Sequence, residues 1–302
     1  MAKFKIGLVL GGGGARGLAH IGVIKALRSA GIHIDVITGA SMGALIGGIY
    51  AQKPDPEYLE RRVANFIKGP KFRRLGVNNF PEKSRRDPDD IISQMSHRVQ
   101  RRIVINLAAN RISLLKAQRL NIAVTELLAD KDIAECQLPF ACTAADLNSG
   151  KEIIFTNGPI QKAIQGSAAI PGFIPPVKYD GYLLIDGSTV NNFPIDTARK
   201  LGANFVVSVD VSLDYEPDSK VSNVIDLVMR SAQITRRKLN ELSAGYSDFV
   251  VKPEIGNVHW SEFSRVDELI RKGEDAIEHI LPSLKKRLRG AKFPLVRYIS
   301  KN

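Results

Sequence analysis

Short apolar runs and longer amphipathic ones alternate along this chain. Residues 6–10 hold only apolar side chains and glycine, and residues 34–37 nearly so, the pattern of strands covered on both faces. Between them, residues 18–27 place large apolar side chains at helical spacing and run out at Gly31. Residues 42–52 are apolar almost throughout, so a helix there must be buried on most sides. Strand, helix, strand and helix in such quick succession predict an α/β fold, a central mostly parallel sheet flanked by helices. Further strands are expected over 140–147, 152–156, 182–185, 205–211 and 249–251. Helices are expected over 55–68, 159–169 (with Asn157 as its cap), 194–201, 221–242 and 265–288, and others over 88–107 and 112–128. The organisation expected is a core over 5–211 with a basic insertion near 69–120. An α-rich extension over 212–302 then packs on that core or completes it.

Composition agrees with a globular chain and locates its charge. The 302 residues are 44% hydrophobic and 25% charged, which excludes wholesale disorder and a disulfide-built scaffold. Cys136 and Cys142 lack zinc or CxxC spacing. The net charge of +12 is uneven: residues 61–119 hold fifteen basic and four acidic side chains, and residues 271–302 hold nine and three. Such an excess calls for an anionic partner, nucleic acid or an acidic membrane. No zinc arrangement, aromatic RNA-binding motif or helix-turn-helix accompanies it, so nucleic acid is the weaker reading. Phe66, Phe72, Leu75, Val77 and Phe80 lie among the basic residues, a mixture that fits either peripheral contact of segment 61–119 with an anionic membrane, the reading preferred, or a solvated cap around a hydrophobic core. The first apolar run is too short for a secretory signal, and the glycine-broken stretch 36–51 is too short for a span. The expected location is the cytoplasm, with the inner face of the cell membrane as the surface approached.

Candidate chemistry sits in the glycine-rich turns. Gly12, Gly14 and Gly17 satisfy GxGxxG between a strand and a helix, where backbone N–H groups can face an anion. A dinucleotide fold would want an acid at the end of the second strand, whereas Asp35 stands at its beginning and a serine motif occupies its end. A phosphate-binding P-loop fails for want of the Lys-Ser/Thr pair. Gly39, Ser41 and Gly43 form GxSxG at a strand-to-helix turn, which lifts a serine hydroxyl above a sheet edge. The preceding loop then supplies oxyanion donors from Gly12, Gly13 and Gly14, with the Met42 N–H as a lesser candidate. Arg16, Gly17 and Pro171 are candidates for positioning the substrate or the loop. Of the five histidines, only His259 follows the serine at a place suited to a base, and packing beside Trp260 explains it better. Asp186, at a strand end before Gly187, is the more persuasive partner: a buried carboxylate held there can take the hydroxyl proton directly, the alternative being that it merely caps the turn.

Residues 11–17 (GGGGARG), 39–43 (GASMG), 167–176 (SAAIPGFIPP) and Asp186-Gly187, in that order, resemble the patatin-like phospholipase family, in particular its small bacterial members. The resemblance covers residues 11–187 and extends over the sheet to about residue 211. It implies a patatin-like fold with Ser41 as nucleophile and Asp186 as base, without a catalytic histidine. It also implies an acyl-enzyme, a glycine-loop oxyanion hole, lipid acyl esters such as phospholipids or lysophospholipids as substrates, and no metal or other cofactor. Ser188 stands where the family usually has Gly or Ala after the acidic turn. Two other readings stay open: a non-lipid carboxylesterase or acyltransferase, and a basic nucleic-acid-binding protein.

Overall fold

Strand β1 (Ile6–Leu10) is buried along its whole length near the middle of an eight-stranded sheet. The structure is a computed structural model that describes residues 4–75, 113, 115–212 and 224–293. After β1 come a 3-10 turn over Gly14–Leu18, α1 (Ala19–Ser29), β2 (Val36–Ala40), α2 (Met42–Gln52), α3 (Pro56–Lys68) and α4 (Pro70–Arg74). Next follow α5 (Ala117–Leu127), β3 (Phe140–Asp146), β4 (Glu152–Phe155), α6 (Ile160–Ser167), β5 (Val177–Tyr179) and β6 (Tyr182–Asp186). The chain continues through α7 (Ile195–Lys200), β7 (Phe205–Val209), α8 (Val224–Ala244), β8 (Phe249–Val251) and α9 (Val266–Lys292).

The main path of the sheet runs β5-β6-β3-β2-β1-β7-β8, and β4 also pairs with β3. Pairings from β3 through β8 along that path are parallel, whereas β4, β5 and β6 are joined antiparallel. Side chains of β1 divide between the two faces with the two-residue period of a strand. Ile6, Leu8 and Leu10 enter the large core, while Val9 joins the smaller cluster with Phe193, Ile195 and Ala198. Helices therefore cover both faces, as the apolar runs predict. Strand β8 extends the sheet, and α9 crosses α1 backbone to backbone. A Cβ on Gly22 would stand 1.9 Å from the Ile270 carbonyl oxygen, and one on Gly273 would stand 2.0 Å from that of Ala19. Side chains at those positions would force the two helices apart.

Several local expectations change. Asn157 does not cap the helix after it: Pro159 holds the cap position, and both carboxylate oxygens of Asp132 accept from the Gly158 N–H at 3.0 Å. Strand β5 was not expected, because three residues between Pro176 and the Asp180-Gly181 turn are too few to show alternation. Phe72 and Leu75 are buried in the main core, and Phe72 meets Phe66 and Phe263 edge to face. Those side chains close the core beside α3 and are not part of the surface. Val77, Phe80 and the helix expected over 88–107 lie outside the described residues.

Candidate active site

The site forms where two strands meet end to end along one edge of β3. Strand β4 lies on the opposite edge, against Cys142–Ala145 of β3. Strand β2 takes the first part of the shared edge, with Ala40 opposite Thr143, and β6 takes the next part, with Asp186 opposite Ala144. Neighbouring residues of β3 thus hold the last residue of β2 and the last residue of β6. Ser41, one residue beyond β2, is delivered beside Asp186 although the two are far apart in sequence.

Ser41 stands at the turn from β2 into α2 with φ 54° and ψ −121°, a positive-φ conformation that a non-glycine residue adopts at a cost of about 1–3 kcal/mol. Two glycines make so sharp a turn possible. A Cβ on Gly39 would lie 2.6 Å from the Gly43 carbonyl carbon, and one on Gly43 would lie 2.0 Å from the Leu10 carbonyl oxygen. The elbow is thereby pressed directly onto β1. The Ser41 N–H donates to Ser167 Oγ at 2.9 Å, which ties the turn to the end of α6. Its hydroxyl donates to Asp186 Oδ2 at 2.6 Å, within the short range of O–H···O⁻ bonds.

Asp186 is buried, and desolvation raises its pKa above the ordinary carboxylate value; hydrogen bonds from Ser41 and Ser188 oppose that rise. The Ser188 N–H donates to Asp186 Oδ1 at 2.9 Å. Ser188, where the family usually has Gly or Ala, therefore fits into the acid's own support. Gly187 permits the tight approach, since a Cβ there would fall 2.1 Å from the Thr143 carbonyl oxygen. Neither Ser41 nor Asp186 bonds a histidine among the described residues. His259 is exposed and pairs through Nδ1 with Ser261 Oγ at 2.7 Å.

The glycine loop passes beside the dyad. A Cβ on Gly12 would be 3.0 Å from that of Ser41, but the Gly12 N–H is already committed to Asn192 Oδ1 at 2.6 Å. Among the described residues, the N–H groups of Gly13 and Gly14 have no acceptor. Gly12 therefore contributes close approach, and the next two residues carry the open donors. Arg16 folds back so that its Nε donates to the Gly13 carbonyl at 3.1 Å; burial and the nearby charge of Arg236 bring its pKa down to about 10, opposed by Asp210. Gly17 admits the side chain of Met42, and Pro171 is exposed in the loop that leads to Phe173. The Phe173 ring meets Trp260 edge to face at 4.5 Å, and the Trp260 carbonyl accepts from the Ala15 N–H.

Three supporting residues escaped the sequence reading of roles: Asn192, Ser167 and His20. His20 is buried beneath the loop, and its Nε2 is 2.7 Å from the Gly11 carbonyl oxygen. Burial lowers its pKa to about 4, against the opposing pull of that carbonyl, so the ring is neutral at pH 7 and donates from Nε2. Its Nδ1 has no partner among the described residues. Helical spacing placed His20 on the first helix but gave no sign of which turn lay over it. Asn192 and Ser167 act across long sequence separations, which spacing cannot read.

A sheet with helices on both faces, and a serine at a strained strand-to-helix turn bonded to a buried aspartate, define an α/β protein. A model of the Patatin family, described as patatin-like phospholipase, matches residues 8–199, well over half of the chain. The chain belongs to the patatin-like phospholipase family. It is 33% identical over 208 residues to patatin-like phospholipase domain-containing protein ZK370.4 of Caenorhabditis elegans, a match covering 68% of this chain and 13% of that protein. It is 27% identical over 305 residues to lysophospholipase NTE1 of Meyerozyma guilliermondii, covering 93% of this chain and 19% of that protein. The chain thus spans less than a fifth of the length of these relatives. The structure of VipD from Legionella pneumophila is similar in fold, with a TM-score of 0.50 at 16% identity, covering 93% of this chain and 67% of that one.

Proposed function

We propose that this protein hydrolyses acyl esters of phospholipids or lysophospholipids through Ser41 and Asp186. The observation that carries the reading is the 2.6 Å hydrogen bond from the Ser41 hydroxyl to the buried Asp186 carboxylate. Family membership supports the lipid acyl ester as substrate class. In the forward step Asp186 Oδ2 takes the Ser41 proton as Oγ attacks the ester carbonyl. In this scheme the open N–H groups of Gly13 and Gly14 take up the negative charge that develops on the carbonyl oxygen, and the N-terminus of α2 beneath Ser41 adds favourable potential. Collapse of the tetrahedral intermediate breaks the ester C–O bond; Asp186 returns the proton to the departing alcohol, and the acyl group stays on Ser41. Water then attacks the acyl-enzyme, giving its proton to Asp186. The fatty acid leaves, and Ser41 recovers its hydrogen.

Burial of Asp186 serves this scheme, because a carboxylate with raised pKa is a stronger base than one in water. Fatty-acid release from lysophosphatidylcholine, diacyl phosphatidylcholine and short-chain nitrophenyl esters tests the substrate class. The proposal predicts that lipid esters have the highest kcat/KM. Preference for the short soluble esters would transfer the site to a non-lipid carboxylesterase.

A further inference from the structure

Helix α8 turns its apolar side chains the wrong way for a helix of a globular core. Val224, Leu227, Val228, Ile234 and Leu242 recur at spacings that put them on one face, and all are between 48% and 75% exposed. Contact with the body of the protein comes from another face and only near the end of the helix, residues 231–238 being exposed all round. Asn240 is buried and donates from Nδ2 to Ser212 Oγ at 2.8 Å, and Leu239, Ser243 and Ala244 are half-buried. A 21-residue helix is about 30 Å long, so the outward stripe is extended. Single exposed apolar side chains are ordinary, but a stripe along one helix marks an interaction surface.

The helix is also basic, with Arg230, Arg236, Arg237 and Lys238 against Asp226 and Glu241. Lys238 falls within the stripe and Arg230 and Arg237 along its border, where long side chains can lay their stems on apolar surface; Arg237 and Lys238 share Glu241 as an ion-pair partner, at 2.8 and 3.5 Å, which leaves the helix a net positive charge. The attachment point adjoins the site: Ser212 follows Val211, whose side chain lies against Gly13. The charge of Arg236 is felt at both Arg16 and Asp186. No helix among the described residues is long and apolar enough to cross a membrane. An apolar face with basic borders suits a helix lying in the plane of an interface.

We propose that α8 is the element that seats this protein on an anionic phospholipid bilayer, its outward apolar stripe entering the headgroup region and Arg230, Arg237 and Lys238 meeting lipid phosphates. This rests on the lipid-hydrolase reading and deepens it, because it brings the dyad to the surface that holds the substrate. It also transfers the membrane contact expected of segment 61–119, at least for Phe72 and Leu75, to a helix whose apolar residues do face outward.

The test is sedimentation of the protein with vesicles of phosphatidylcholine, with and without phosphatidylglycerol. Wild type is expected to bind the anionic vesicles more strongly, with an affinity that falls as salt rises. The Leu227→Ser/Val228→Ser/Ile234→Ser protein should lose about a hundredfold in partitioning while its unfolding midpoint is unchanged. Ser41→Ala should bind vesicles like wild type, so a failure of the dyad mechanism would leave this result standing. The proposal is overturned if the triple variant binds anionic vesicles as well as wild type does, or if wild type ignores them. It is equally overturned if wild type forms a dimer that the triple variant loses while neither binds vesicles, which would assign the face to a second copy of the chain.

Discussion

At the meeting of β2 and β6, polar side chains are buried and each is held: Ser41 on Asp186, Asp186 on Ser188, the Ser41 N–H on Ser167, and Asn192 on the Gly12 N–H. On α8 the relation is reversed, with aliphatic side chains in solvent and a buried asparagine on the inner face. Buried polar groups stay where they are only when hydrogen bonds replace the water they have lost. Exposed apolar groups bring no comparable constraint to the folded chain. The two regions should therefore respond oppositely to substitution: the first in chemistry and folding together, the second in association alone.

The largest expected effect is on chemistry. Asp186→Asn should lower ester hydrolysis by about 10³-fold or more, since the proton acceptor is lost, as steady-state kinetics would measure. The same variant should be more stable than wild type. The folded-state pKa of Asp186 is raised by burial, so its stabilising contribution is fullest at low pH, when it is protonated, and is lost as pH rises through that value. At neutral pH the fold carries a buried charge that asparagine would remove. A drop in unfolding midpoint for Asp186→Asn would break the comparison. The acid limb of the kcat/KM profile should likewise lie above the ordinary aspartate value of 3.8, because activity needs the carboxylate form.

Next in size is Gly43→Ala. Its added carbon would collide with the Leu10 carbonyl at 2.0 Å, so the elbow and β1 must separate, with an expected loss of about 3 kcal/mol or more in denaturant unfolding. Asn192→Ala should release the Gly12 N–H from its partner and lower kcat about tenfold with little change in KM, if the loop's position matters mainly in the transition state. Ser41→Gly should lose activity while stability changes by no more than about 1 kcal/mol, relief of the positive φ being offset by loss of the hydrogen bond to buried Asp186. The smallest change is expected on α8: Leu242→Ser should shift unfolding by no more than about 0.5 kcal/mol.

These regions were not equally legible in the sequence. GxSxG and the glycine cluster announce turns that only small residues can make, and the alternation of strands and helices orders them in one sheet. Asp186 was readable as a strand-end acid, but the end-to-end meeting of β2 and β6 on β3 was not, since register between distant strands leaves no local mark. The same holds for Asn192 and Ser167, which act on residues well over a hundred positions away. Helical periodicity identified α8 to within a few residues yet could not tell which face packs. Phe72 and Leu75 show the converse: apolar residues in a basic stretch that belong to the core, the alternative that the stretch had left open.

Covalent labelling tests the activation of Ser41 by Asp186 most directly. Intact protein treated with a serine-reactive lipid phosphonate should gain a single adduct that peptide mass spectrometry locates on Ser41. Ser41→Ala should gain none, and Asp186→Asn should label about 10²-fold or more slowly, because the hydroxyl has lost its base. Equal labelling of Ser41→Ala, or undiminished labelling of Asp186→Asn, would contradict the dyad.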